Sequence, residues 1–284
     1  MAGFFGLSLS MLMGRGREVR VSLLGAVAAI LFTASVGWAE PTLDSRLATV
    51  LHQAGVEGCI VVVQPRQERT LVSNLSDCQE RLIPASTFKM ANALIALETG
   101  VVEEEEVFPW DGASYSFSVW EQDMTLRQAM AVSAVPVFQQ IARRIGLKRM
   151  AEWVTRLGYG NRDIGDVVDR FWLDGPLAIS PLEQATFMAL LANGQLPVAK
   201  SSMTALRRII PRERMEEGWS LFGKTGWAVA ESLHIGWYVG WVERQDEIVP
   251  FAVKIPMPSL DWAPLRISLA KAALHSLGVV PPKQ

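Results

Sequence analysis

An α+β fold, with one sheet and one helical lobe, is what this 284-residue sequence predicts. Strand-like patterning lies at both ends of the chain and mostly helical patterning lies between them, which separates the two kinds of element. Half of the residues are apolar, enough for a substantial core in one large domain or two closely joined ones.

The elements follow in order. An amphipathic helix is expected from about Thr42 to Ala54, stopped by Gly55. Two strands, Cys59 to Gln64 and Thr70 to Ser73, flank a polar turn. A helix opens at Ser86 and ends at Gly100. Between 101 and 200, Thr125 and Ser180 are N-cap residues, Pro181 suits a first helical turn and Gly194 lies past a helix end. Strand patterning returns from about 218 to 254, and a helix from about 262 to 277 closes the chain. The acidic run Glu103 to Glu106 reads as solvated surface. There is no repeat, low-complexity tract or interdomain linker.

The N-terminal region differs in kind. Arg15, Arg17 and Arg20 precede an apolar stretch from Val21 to Val36, and Gly37-Trp38-Ala39 then offers the small residues a signal peptidase reads. A cleaved secretory signal over 1–39 is expected, leaving a domain of 40–284 with no membrane attachment. The stretch approaches the lower limit for a spanning helix, so an uncleaved anchor is the alternative. The true start could be Met11 or Met13. A net charge of −2 gives no reason to expect a nucleic acid or an anionic membrane as partner.

Cys59 and Cys78 are the only cysteines. In an oxidising compartment they could pair, although Cys59 lies in an apolar run where a free cysteine behaves as a small hydrophobe. No metal site is expected, because His52, His234 and His275 are far apart in sequence from one another and from both cysteines.

The chemistry concentrates in Pro84-Ala85-Ser86-Thr87-Phe88-Lys89 and a single Lys224-Thr225-Gly226. Residues i and i+3 share a helix face, so Lys89 comes back toward the Ser86 hydroxyl. Serine is a poor nucleophile until a neighbour takes its proton, and a lysine can do so when burial or other cations depress its pKa. The spacing alone is weak, since Ser268-Leu269-Ala270-Lys271 repeats it inside an ordinary amphipathic helix.

With these motifs the chain resembles the serine β-lactamase and penicillin-binding superfamily, and within it the class D β-lactamases, or oxacillinases. Ser133-Ala134-Val135 looks like the S-x-V element of class D, and Pro136 to Arg143 continues the likeness. Tyr159-Gly160-Asn161 is similar to the Y-G-N box, Phe171-Trp172-Leu173 to the tryptophan-bearing loop, and Pro264-Leu265-Arg266 to the segment that carries the carboxylate-binding arginine. The segments occur in family order across essentially residues 42–280.

The resemblance implies an antiparallel sheet flanked by helices, a helical lobe, and an active site in the cleft between. Ser86 would be acylated by a β-lactam, with the N–H groups of Ser86 and Trp227 as oxyanion hole. No cofactor is implied beyond CO2, which would carboxylate Lys89 to make the general base. Phe88, Val135, Phe138 and Leu173 would wall that lysine, and the Trp172 N–H would bond the new carboxylate. Ser133 and Lys224 would pass a proton to the departing nitrogen. Thr225 and Arg266 would hold the substrate carboxylate, the latter by its two-pronged donor. Gly226 would permit close approach, and Trp120, Phe117 and Trp227 would line the cleft. Tyr159-Gly160-Asn161 would shape it. The partner is a small-molecule β-lactam, and the protein is expected to be a monomer or homodimer.

Two rivals share the nucleophile. A β-lactam sensor would acylate without release, but such receptors need several spanning segments, and the chain has one apolar stretch. A cell-wall peptidase typically has a polar S-x-N second motif where this chain has Val135.

Overall fold

Strands from both ends of the chain meet in a single seven-stranded sheet, ordered β1-β3-β2-β9-β8-β7-β6. The computed structural model describes residues 40–230 and 233–281; the signal-like segment 1–39 lies outside them. From the first half come β1 (Thr42–Leu43), β2 (Cys59–Gln64) and β3 (Arg69–Val72). From the second come β6 (Arg212–Arg214), β7 (Ser220–Ala230), β8 (Leu233–Arg244) and β9 (Glu247–Pro256). All neighbours are antiparallel except β1 and β3. The central pairing of β2 with β9 sets Val61 opposite Ala252, joining sequence-distant strands. Every residue of β2 is buried, because helices cover both faces of the sheet.

The first expected helix begins later than its sequence pattern suggests. Thr42 and Leu43 pair with Leu71 and Val72, and α1 spans Ser45–Gln53 behind an N-cap at Asp44, whose carboxylate accepts from the Arg46 N–H. Helix α1 and the terminal α9 (Ala263–Ser276) pack on one face. Leu47, Leu51, Leu269 and Leu274 bury there against Ile60, Phe251 and Val253.

The other face carries the helical lobe. It comprises α2 (Leu75–Gln79), α3 (Lys89–Glu98), a small hairpin of β4 (Val107–Phe108) with β5 (Met124–Thr125), α4 (Leu126–Ala131), α5 (Val135–Ile145), α6 (Leu147–Arg156), α7 (Pro181–Ala192) and α8 (Lys200–Ile209). Thr125 and Ser180 both close capping boxes, with Gln128 and Glu183 as the returning side chains. The acidic run is not merely solvated: Glu104 pairs with Arg208 and Glu106 with Arg144, tying the loop after α3 to α8 and α5.

Cys59 and Cys78 are disulfide-bonded, joining β2 to α2 across 19 residues. Replacing both with alanine is expected to lower unfolding free energy by about 3 kcal/mol on the chain-entropy estimate. Denaturant melts of the oxidised wild type against the double variant measure this, and coincident curves would refute it.

Candidate active site

Ser86 lies in a 3₁₀ turn, Ala85–Phe88, which runs directly into α3 at Lys89. In a 3₁₀ turn residues three apart eclipse, so the Ser86 and Lys89 side chains stand in line on one face. Lys89 Nζ stands 2.5 Å from Ser86 Oγ. The lysine is fully buried, and burial, followed by the nearby charge of Lys224, holds its pKa well below the usual lysine value. A neutral amine here can take the serine proton.

A second serine–lysine pair faces the first. Lys224 on β7 is buried and donates to Ser133 Oγ at 3.0 Å and to the Thr225 carbonyl at 2.9 Å. Burial, then Arg266, brings its pKa down to about 7. Ser133 is no helix cap: Ala134 is the N-cap of α5, and Ser133 sits before it with φ of 59°. Ala85 has φ of 49°. Left-handed backbone at non-glycine residues costs roughly 1–3 kcal/mol each and persists only where the surroundings enforce it.

Gly226 explains how β7 reaches the nucleophile. A Cβ there would lie 3.0 Å from the Pro84 carbonyl oxygen and 3.1 Å from Thr87 Cγ2, so a side chain would push the strand away from the turn.

Aromatic rings wall the buried lysine. Phe88 stacks on Trp172 at 5.6 Å and meets Phe171 edge-on, and Lys89 Nζ is 5.7 Å from the Phe138 ring centre. Trp172 is fully buried and its Nε1 has no hydrogen-bond partner among the described residues. An orphaned donor in a dry site costs energy unless an acceptor joins it.

A cavity of about 220 Å³ opens over Ser86. Ser133, Val135, Leu173, Thr225, Gly226, Trp227, Trp120, Phe117 and Arg266 line it. Phe138 and Trp172, expected around Lys89, are fully buried and do not line it. Val119, Val132, Met257 and Leu260 also line it, with no motif to announce them. Arg266 is buried, which lowers its pKa to about 10, so it stays charged at neutral pH. Its Nη1 donates to the Gly226 carbonyl and its Nε to the Ala263 carbonyl. Nη1 also lies 3.5 Å from the Trp237 carbonyl, so the two N–H groups of Nη2 are the donors left to meet a ligand.

A serine activated by a buried lysine, with a second serine–lysine pair beside a strand edge, defines a serine acyl-transfer fold. Residues 58–275 match the family described as the penicillin binding protein transpeptidase domain. The β-lactamase OXA-48 of Klebsiella pneumoniae is 37% identical over 79% of this chain and 85% of its own length. The crystal structure of FUS-1 (OXA-85), a class D β-lactamase from Fusobacterium nucleatum subsp. polymorphum, superposes with a TM-score of 0.81 at 34% identity, covering 84% of this chain and 99% of that one. The regulatory protein BlaR1 of Bacillus licheniformis is 32% identical over 82% of this chain but only 39% of its own length. The chain belongs to the class D β-lactamases.

Proposed function

We propose that this protein hydrolyses the amide bond of penicillin-type β-lactams through an acyl-enzyme on Ser86, and so confers antibiotic resistance. The observation that carries the reading is the fully buried Lys89 amine 2.5 Å from the serine hydroxyl. Ser86 Oγ attacks the lactam carbonyl as its proton passes to the Lys89 base, while the N–H groups of Ser86 and Trp227 receive the developing oxyanion. The C–N bond breaks, and the leaving nitrogen takes a proton through Ser133, supported by Lys224. Arg266 and Thr225 hold the substrate carboxylate. Water, activated by the same base, then releases the acid product.

N-carboxylation of Lys89 by CO2 would supply a carboxylate base at this position. The residues fit that group: burial favours the neutral form of the amine, the Phe138 ring lies beside it, and Trp172 Nε1 is a buried donor without an acceptor among the described residues. We further infer a secreted enzyme whose mature chain begins at Glu40 and whose catalytic domain is 40–284, periplasmic in a Gram-negative source. Among the described residues no helix is long and apolar enough to cross a membrane.

The test is time-resolved penicillin hydrolysis by the chain from Glu40, at large substrate excess in bicarbonate-supplemented buffer. Sustained turnover is expected. A burst equal to enzyme concentration followed by silence would overturn the hydrolase in favour of a sensor, the reading that the BlaR1 likeness keeps as second.

A further inference from the structure

The turn that carries Ser86 is strained at Ala85, and most of its bracing comes from outside the active site. Trp237 Nε1 donates to the Ile83 carbonyl at 3.0 Å, and Leu82 bridges Ile179 in the loop before α7. Arg81 pairs with Glu183 in the first turn of α7. The Pro84 carbonyl, which begins the turn, accepts from the Thr87 N–H at 3.2 Å and from the Thr87 hydroxyl at 2.7 Å. Thr87 Oγ1 in turn accepts from Gln184 Nε2 of α7 at 2.7 Å, and Gln184 Oε1 accepts from the Tyr159 hydroxyl at 3.4 Å. Thr87, Gln184 and Tyr159 are each at most 1% exposed, so water cannot replace a lost member of the chain.

From this chain we infer that Gln184 is a positioning residue for Ser86: its amide fixes the Thr87 hydroxyl on the Pro84 carbonyl and so holds the strained turn in the acylating geometry. The inference rests on Ser86 being the nucleophile. Gln184 Nε2 is the short donor to Thr87 Oγ1, at 2.7 Å. Without it the hydroxyl is free to turn away from Pro84, leaving the Thr87 N–H alone to close the turn. Ala85 can then relax toward ordinary backbone, and Ser86 Oγ shifts against both Lys89 and the oxyanion donors. The same chain gives the Y-G-N segment a purpose, since Tyr159 orients the amide by occupying its oxygen.

Single-turnover acylation by a chromogenic β-lactam tests this on the full mature enzyme. Gln184→Met, close in shape but without the amide, is expected to slow the acylation step by roughly 10- to 100-fold, the cost of a small misplacement of reacting groups. The half-saturating β-lactam concentration should stay put, and burst amplitude per folded molecule should remain complete. Thr87→Val should slow acylation to a similar extent, Thr87→Ser should keep the wild-type rate, and the Gln184→Met/Thr87→Val double variant should be no slower than the slower single. Wild-type acylation rates in Gln184→Met would overturn the inference. So would a loss of burst amplitude at unchanged rate, which marks a folding defect, or effects of the two substitutions that multiply. Absence of a covalent adduct on Ser86 in the wild type would instead overturn the active-site assignment itself.

Discussion

Methionine in place of Lys89 is expected to abolish turnover, by about 10³-fold or more, while leaving the folded protein at least as stable at neutral pH in CO2-depleted buffer. The first half follows from the 2.5 Å contact with Ser86 Oγ, because among the described residues no other group hydrogen-bonds that hydroxyl. The second follows from linkage. Lys89 has its pKa depressed by burial and then by Lys224, so between that lowered value and its unfolded value near 10.5 the unfolded chain binds more protons than the folded one. Stability therefore rises with pH across that window, and the penalty is complete below the folded pKa. Methionine fills similar volume and never charges, so the penalty disappears. Thermal melts at pH 7 and pH 10 should show the advantage of the variant shrinking at the higher pH. A variant that keeps turnover, or one that melts lower at pH 7 than the wild type, would contradict the reading of this lysine as a buried base.

Phenylalanine in place of Trp172 should separate packing from hydrogen bonding. It retains a ring against Phe88 and Phe171 but removes the unpartnered indole N–H. With no acceptor present, losing that donor costs nothing in the folded state. If a carboxylate forms on Lys89, losing a hydrogen bond to a charged group costs about 1.5–3 kcal/mol, or roughly 10- to 150-fold in CO2 affinity. The expected result is activity that collapses in degassed buffer and climbs with added bicarbonate to a higher half-saturation point than the wild type needs. An unchanged bicarbonate dependence would separate Trp172 from the lysine chemistry.

Much of this was legible in the sequence because its signals are local. The i, i+3 spacing of Ser86 and Lys89, the capping serine before Pro181 and the apolar run Cys59 to Gln64 each depend on a few neighbouring residues, and β2 has the bounds that run suggested. The failures depend on distant partners. Strands β1 and β6 are two and three exposed residues long, too short to show alternation, and exist only because β3 and β7 receive them. Ser133 was legible as a motif serine, but its contact with Lys224, 91 residues away, is made by the fold. Trp172 and Phe138 belong to the right constellation, but which way a ring faces depends on packing, and both turned inward. Arg266 donates to the carbonyls of Gly226 on β7 and Ala263 in its own helix, a competition no motif records. Met257 and Leu260 reach the cavity from the segment after β9, where chain direction alone decides what they touch.

Lys89, Lys224 and Arg266 are three basic side chains withdrawn from water into one cleft, and each has its pKa lowered by that withdrawal. Withdrawing charge from water costs stability wherever it is not fully paired. A lineage released from antibiotic exposure should therefore erode at the cleft first, through substitutions that make the protein sturdier as they silence it. Sequences that keep the scaffold and have lost these basic side chains would be the fossils of that drift, and their abundance among descendants would record how long the selection had been absent.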